Sequence, residues 1–538
     1  MKKLIVTAGL LMCFGVVFAG GLLTNGNQSA QYLRMLSRNA STSTDAVYYN
    51  PAGLMKMDNG FYIAIQNQTL FQTKTIESAF PLLNASTYEG KVDVPVFPTA
   101  FAIYKMDKLA FSLGLGPNSG GGSAEYGTGL PSFEKTISKL VPGLAGLKAL
   151  GQNVTNYKTN IAFKGESVFW GIQAGVSYKI NDMISVYGGL RYIPATNTYT
   201  GSITGIQVMA NGSYKTASTY LTTEVPPILA GLAAQATGAA ANVAPLIAAG
   251  AGSYTLGTLL GAGYISAAQR AQIEGGLLSF GATQAQINAM PVSTIQATFL
   301  GAVANLNGQA ASLISTGNSL KDKSVDTKQT GSGITPILGL NISPVEGLNI
   351  GMKYEFKTKL ELTNATKVDD TGMFPDKATT NSDLPAIFSV GVDYKFSKKF
   401  NLSVSYNNYN DKGVNWGNNI YGEPRVIKNN EWESAVGAQY QLCKFAAISL
   451  GYLHTQMGVY EQFNSDFSYY SNSNTFSGGF ELKPSANFTV DLGALVTNYD
   501  NANKLFKDAD PAIGSYFETY KKHNLGFAVG LSYHFGGK

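Results

Sequence analysis

Along most of this chain apolar and polar residues alternate one by one. In EGLNIGMKYEFKTKLEL (346–362), Leu348, Ile350, Met352, Tyr354, Phe356, Leu360 and Leu362 share one face. Asn349, Gly351, Lys353, Glu355, Lys357, Lys359 and Glu361 share the other. A helix scatters those two sets, whereas a strand separates them. The same split recurs in AIFSVGVDYKF (386–396) and NFTVDLGALV (487–496). The pattern predicts about fourteen strands, near 60–72, 94–106, 108–117, 163–180, 182–204, 333–344, 347–364, 384–396, 399–410, 430–443, 446–458, 474–484, 487–500 and 523–535.

Alternation alone also fits a soluble sandwich. Three features favour a membrane barrel. The strand number is even, as single-chain outer-membrane barrels require. Tight turns such as KMDK, INDM, SPVEG, FSKK and KPSA alternate with long polar loops. Strand ends carry Tyr, Phe or Trp, as interfacial girdles do. The fold class read from these patterns is an all-β transmembrane protein, an antiparallel outer-membrane barrel occupying residues 59–538.

Two insertions interrupt the strands, at about 118–160 and 207–332. The first contains PSFEKTISKL, a short helix with Ser132 as N-cap and Pro142 as terminator. The second has no charged residue from Val225 to Gln269. Its length and neutrality raise a membrane-crossing helix as an alternative. Ala and Gly are only weakly apolar, and Pro226, Pro227 and Pro245 break the run, so a cluster of short helices in an external loop is expected. One of these is capped by Ser266, and another follows PVSTIQATFLGAV.

At the N-terminus, Lys2-Lys3, an apolar stretch from Leu4 to Phe18 and Val17-Phe18-Ala19 read as a signal peptide cut after Ala19. An uncleaved anchor fits less well, because the apolar stretch is short for a span. Cys13 leaves with the signal, so Cys443 is the only mature cysteine and no disulfide framework is expected. His454, His523 and His534 are far apart in sequence, and no metal or other cofactor is expected. Charged residues make up 14% of the chain, against about 25% in ordinary soluble proteins, and the net charge of +5 forms no basic patch. Nucleic acid is therefore not an expected partner. GxSxG and HExxH are both absent, so no catalytic residue is assigned and an enzyme is not expected.

Asn50-Pro51-Ala52-Gly53 precedes the first strand. An Asn-Pro pair sets a fixed turn, and a turn that merely admits the strand is one reading. An NPAG segment, then about fourteen strands and one large helical insertion, resembles the FadL/TodX family of outer-membrane transporters for long-chain fatty acids and other hydrophobic compounds. ASTSTDAVYYNPAGLMKM (40–57), residues 170–201 and DLPAIFSVGVDYKFSKKFNLSVSYNNY (383–409) carry the resemblance most specifically. It implies that residues 20–58 form a hatch plugging the lumen, with Asn50, Pro51, Ala52 and Gly53 as its motif. It also implies passive uptake, in which a hydrophobic ligand is captured at external loops and released through the barrel wall into the outer-membrane lipid. A localisation in the outer membrane of a Gram-negative bacterium follows from the same resemblance.

If Leu190 and Tyr192 face lipid, Arg191 faces the lumen, and Lys353 does so by the same parity. Either is a candidate for holding a carboxylate head group, although lumenal charges also serve solubility and self-pairing. Pro194 is a candidate wall interruption, because proline removes a ladder hydrogen bond. The last strand alternates up to Phe535, which resembles the signal read by the barrel-assembly machinery, except that Gly536-Gly537-Lys538 follow. A diffusion porin for polar solutes and a structural or adhesive barrel are the alternatives.

Overall fold

The computed structural model describes residues 29–420 and 422–536. The expected signal peptide, Cys13 and residues 20–28 of the expected hatch lie outside the described residues. Fourteen long antiparallel strands form one sheet whose last strand pairs with its first. They are β1 (Gly60–Ser78), β2 (Thr87–Met106), β3 (Leu109–Tyr126), β4 (Val154–Lys179), β5 (Ile184–Ala210), β6 (Lys323–Ile342), β7 (Leu348–Glu355, resuming as Glu361–Asp369) and β8 (Thr379–Asn381, resuming as Ile387–Lys395). The series continues with β9 (Phe400–Tyr409), β10 (Trp432–Cys443), β11 (Ala446–Gln456), β12 (Ser473–Leu482), β13 (Phe488–Tyr499) and β14 (Ser515–Phe535). Short extra strands, Ser213–Thr216 and Ala502–Lys507, pair with β5 and β14. The fourteen predicted strands correspond one to one with these. Closure leaves no open edge, which a sheet in lipid requires.

The outer face is apolar. Ile65, Leu113, Leu190, Leu338, Val404, Leu450, Phe527 and Leu531 are exposed on it. Tyr394 and Phe396 pack edge to face at 4.6 Å beside the β8–β9 turn, and Tyr533 and Phe535 do so at 4.5 Å at the end of β14. Strand β7 departs from the expected face. Asn349, Gly351, Lys353 and Glu355 point inward, but after the interruption Thr358, Leu360, Leu362 and Asn364 do. Leu360 and Leu362 therefore lie in an inner cluster with Phe169, Ile193 and Tyr409 and do not share the outer face with Leu348. Shifting parity by one residue exchanges the two faces of a strand.

Inside the barrel, residues 29–57 form the plug. Helix α1 (Ala30–Arg34) is capped by Ser29, whose hydroxyl accepts from the Tyr32 amide at 3.0 Å. Helix α2 (Ala46–Tyr49) leads into a 3-10 turn, Pro51–Lys56. Ala30, Leu33, Leu36, Val47 and Leu54 pack with the wall residues Ala64, Phe101, Ile103 and Leu495. Small wall residues make this approach possible. Gly351 pairs with Gly391, Gly437 with Gly451, and Gly479 with Gly493. A Cβ on Gly391 would lie 2.7 Å from the Ala40 nitrogen, and one on Gly451 would lie 2.6 Å from that of Leu36. Between these glycine pairs, Ser403 and Ser405 of β9 bond the Ser37 hydroxyl at 3.0 and 2.8 Å.

Residues 135–160 and 203–322 form a second compact unit, which is mainly helical. Its long helices, α4 (Val225–Leu246) and α8 (Val292–Ser319), pack together, with α5 (Leu256–Gly261), α6 (Ala267–Ser279) and α7 (Gln284–Ala289) between them in sequence. Val243, Leu256, Leu277, Ile295 and Phe299 are in its core. Ser266 caps α6 as expected, in a reciprocal box with Gln269. The expected cluster of short helices instead includes two long ones. Pro226 and Pro227 follow a π-helical turn, Tyr220–Glu224, and do not end the helical run, and Pro245 lies one residue before the end of α4. The helical run Ala217–Ala251 is long and apolar enough to cross a membrane by length and composition. Only Arg270 and Glu274 are charged between Val225 and Leu320, and they pair at 2.7 Å. In the first insertion the helix is α3 (Pro131–Ser138), which by chain order precedes α4. Ser132 sits inside its first turn and donates its amide to Asp466 at 2.7 Å, and Pro142 lies in the following turn, Leu140–Gly143.

Candidate functional site

The NPAG motif is a docking element. Asn50, Pro51, Ala52 and Gly53 are all buried. The Asn50 side chain donates to the Ser41 carbonyl at 3.0 Å and to Asn341 of β6 at 2.8 Å. Ser177 of β4 donates to the Pro51 carbonyl at 2.7 Å, and Ser185 of β5 to the Ala52 carbonyl at 2.8 Å. Wall hydroxyls thus satisfy backbone groups that burial would otherwise leave unpaired. A Cβ on Gly53 would lie 2.7 Å from the Ser41 carbonyl, so only glycine fits there.

Two arginines hold the plug's charges. Arg34 donates to Asp491 at 2.8 Å, Glu481 at 2.9 Å and Ser449 at 2.6 Å, bonding α1 to β11, β12 and β13. Arg38 pairs with Asp45 through two bonds, at 2.7 and 2.8 Å, within the plug. Burial opposes ionisation of Asp45, but the Arg38 guanidinium and the Ser41 and Ser43 hydroxyls outweigh it and hold the carboxyl below its ordinary value.

The structure brings Arg191 and Lys353 together across one carboxylate. Glu355 accepts from Arg191 at 2.6 Å and from Lys353 at 2.7 Å. Lys353 also donates to the Tyr48 carbonyl at 2.7 Å, and both cations lie over the Tyr48 ring, at 4.7 Å for Lys353 and 4.5 Å for Arg191. Arg191 donates further to Asn118 at 2.8 Å and twice to Gln173, at 3.1 and 2.7 Å. With two bonds to Glu355, every one of the five guanidinium hydrogens is committed inside the protein. The group is placed to seat α2 of the plug. Parity alone reveals that Arg191 and Lys353 face inward, but not that one carboxylate takes both.

Two small cavities, of about 10 Å³ each, share Tyr48, Asn118 and Arg191 in their lining. One also meets Phe101, Gly114, Leu115 and Gly116. That stretch of β3 borders a break in the wall. The β2–β3 ladder runs from Met106 and Leu109 to Ala100 and Leu115, and resumes only at Lys91 and Glu125. Among the described residues, 92–99 of β2 and 116–124 of β3 have no ladder partners in each other. Pro95, Pro98 and Pro117 lie in the break, and each lacks a ladder donor. Freed groups of β2 bond to β1 instead, where Asn67 accepts from the Phe97 amide at 3.0 Å and Thr69 donates to the Pro95 carbonyl at 2.9 Å. Pro194 lies within β5, which is continuous from Ile184 to Ala210. Three prolines and a glycine run mark this break in the sequence, but which strands lose contact there is a property of the closed sheet.

Above the cavities in strand order, Ile76, Tyr88, Tyr126, Phe163, Phe374 and Tyr520 belong to one buried aromatic cluster. Sequence reading did not assemble it, because its members come from distant strands and loops.

Closed, plugged and belted with apolar side chains, the molecule is an outer-membrane-type β-barrel with an N-terminal hatch. Its fold is that of the FadL-type transporters. It matches a solved FadL homologue from Pseudomonas aeruginosa with a TM-score of 0.55 at 12% identity, covering 96% of this chain and 100% of that one. It also matches the Pseudomonas putida toluene transporter TodX with a TM-score of 0.50 at 12% identity, covering 96% and 100%. No family model and no curated protein matches the sequence.

Proposed function

We propose that this protein is a passive channel of the Gram-negative outer membrane that takes up hydrophobic molecules, long-chain fatty acids among them. The observation that carries the reading is the unpaired stretch between β2 and β3, whose β3 side lines a small cavity together with Tyr48. A molecule leaving there enters lipid without crossing the plug. Moving an alkyl chain from water to an apolar phase releases on the order of 0.8 kcal/mol per methylene, so the step needs no coupled energy source. The solved FadL homologue and the toluene transporter TodX, which share the fold, support the class of cargo. A plug bonded to at least eight wall strands counts against an open polar porin. On this reading Asn50, Pro51, Ala52 and Gly53 dock the hatch, and the strand ending at Phe535 addresses the chain to the barrel-assembly machinery.

The test is uptake of labelled oleate, toluene and a disaccharide by cells lacking their own hydrophobic transporter. Expression of this chain should raise uptake of the first, with or without the second, and not of the third. Gly116→Phe, which fills the cavity beside the break, should abolish the gain. Uptake of the sugar alone would refute the reading in favour of a porin, and no gain for any compound would refute it in favour of an adhesive or structural barrel.

A further inference from the structure

At the long-loop end of the barrel, the segments that follow β9, β11 and β13 enclose an open cleft of about 390 Å³. It lies on the outer flank and not in the lumen. Gln456 of its lining continues the outward face of β11 that carries the exposed Leu450 and Tyr452, and it is the direct cross-strand partner of Trp432. Asn503 shares the outward parity of the exposed Leu505. Trp432 lies beside Tyr406 and His454, with ring centroids 6.3 and 5.5 Å away. Such an aromatic band marks a membrane interface, so the cleft opens just beyond the hydrocarbon, at head-group level.

The walls are rich in carboxamides. Asn429, Gln456, Asn464, Asn472, Asn501 and Asn503 line the cleft, and Tyr460 adds a ring that is 45% exposed. Asn464 accepts from the Tyr470 amide at 2.8 Å and donates to its carbonyl at 3.1 Å, which stiffens the loop after β11. The Asn472 side-chain oxygen accepts from the Met457 amide and from the Gln456 side chain, each at 2.9 Å. A backbone N–H can only donate, so that oxygen is fixed in place and the two amide hydrogens of Asn472 point elsewhere. The Asp500 backbone amide is tied to the Asn472 carbonyl at 2.9 Å, which holds the two residues side by side. Yet the Asn472 amide hydrogens, the Asp500 carboxylate and the Asn501 side chain form no hydrogen bond with any described residue. A fixed donor, a charged acceptor and a group that does both are thus left together at one wall.

This set selects among ligand classes. Lys428 is outnumbered by Asp500 and Glu461, so the cleft does not favour an anion. Among the described residues, no group of three carboxylate, histidine or cysteine side chains could hold a metal ion. Hydrocarbon would leave the polar groups unpaired. Adjacent hydroxyls of a sugar ring each donate and accept, and the C–H face of the ring suits an exposed aromatic. The volume falls within the roughly 300–1,000 Å³ of small-molecule sites.

We propose that this cleft binds a neutral saccharide, whose neighbouring hydroxyls bond to Asn472, Asp500 and Asn501 and whose ring lies against Tyr460. Two sources present that chemistry, a free oligosaccharide and the sugars of a glycolipid in the leaflet beside Trp432.

The test is calorimetric titration of the purified full-length chain in lauryl dimethylamine oxide, a detergent without sugar. The ligands are maltose, lactose, chitobiose and the solubilised glycolipid of the host outer membrane. At least one should bind, and D500A/N501A should weaken it about tenfold or more, as loss of a charge-assisted hydrogen bond and a neutral one requires. Thermal unfolding of that variant should match the wild type, because neither side chain has a partner in the protein. K444A, in the short turn at the opposite end, should bind as the wild type does. Binding of a disaccharide assigns the site to free sugar, and binding of the glycolipid alone assigns it to a membrane neighbour. No binding of any of the four would overturn the site, and so would binding that survives unchanged in D500A/N501A. Neither of these failures touches the uptake reading, since the cleft does not open into the lumen.

Discussion

Arg34→Met tests the anchoring of the plug. In the wild type the guanidinium is 2% exposed and contacts Asp491, which is 1% exposed, and Glu481. Methionine keeps much of the side-chain volume and removes the charge. Asp491 then retains the Gln31 amide, at 2.7 Å, but no cation. Removing one partner of a buried ion pair costs about 3–5 kcal/mol, because the other charge stays behind uncompensated. At about 1.4 kcal/mol per tenfold, the ratio of docked to undocked plug falls by about a hundredfold to a few thousandfold. Strand pairing is untouched, so the barrel should still migrate as a folded species in unheated gels. Planar-bilayer recording should show openings that are rare or absent in the wild type. Adding Asp491→Asn should restore much of the closed time, with a coupling energy above about 1 kcal/mol in the double-mutant cycle. A single variant as quiet as the wild type, with coupling near zero, would refute the view that this ion pair holds the plug.

Three further outcomes follow from the geometry. Gly391→Val should release the plug or block assembly, measured as protease cleavage after Arg38, whereas Gly188→Ala, with nothing within 4 Å of the added carbon, should behave as wild type. Arg191→Lys removes a planar fork that makes five bonds to three side chains and should cost about 2–3 kcal/mol of resistance to thermal unfolding. In the loop after β9, burial pushes the Asp411 carboxyl up to about 6, and burial together with Asp411 and Glu433 pushes Glu431 well up. The folded loop therefore holds protons that the unfolded chain has released. Its stability is greatest in acid and is lost as the pH rises through about 6. Hydrogen exchange in residues 410–431, corrected for intrinsic rate, should show opening between pH 5 and 8, and Asp411→Asn should flatten the profile.

The barrel was legible because lipid and plug impose a period of two on every strand. Where that pressure stops, the reading stopped too. Strands β3 and β4 extend beyond their predicted ends into Gly- and polar-rich sequence at 118–126 and 154–162, where no lipid enforces alternation. The face exchange at Leu360 and Leu362 follows from a strand interruption that local composition does not announce. Pro226 and Pro227 do not break the helical run, which accommodates them through a π-helical turn at Tyr220–Glu224 that no local composition announces. Within the candidate site, inward parity of Arg191 and Lys353 could be read directly. The pairing of Lys353 with Glu355, two residues along the same face of β7, was within reach as well. That of Arg191 was not, since Asn118, Gln173 and Glu355 come from three other strands.

The paired glycines of β7, β8 and β10 to β13 act as a keyway cut for one key position. They admit plug backbone at one level of the barrel only, because the inward residues two places along are larger, Lys353 beside Gly351 and Asp491 beside Gly493. Axial travel by one residue pair would press side chains against the plug on six strands at once. The plug therefore cannot work as a piston. In the channel proposed above, cargo would then pass beside the plug while it stays in its slot, and throughput would be governed by how the chain around Tyr48 yields, not by ejection of the whole segment.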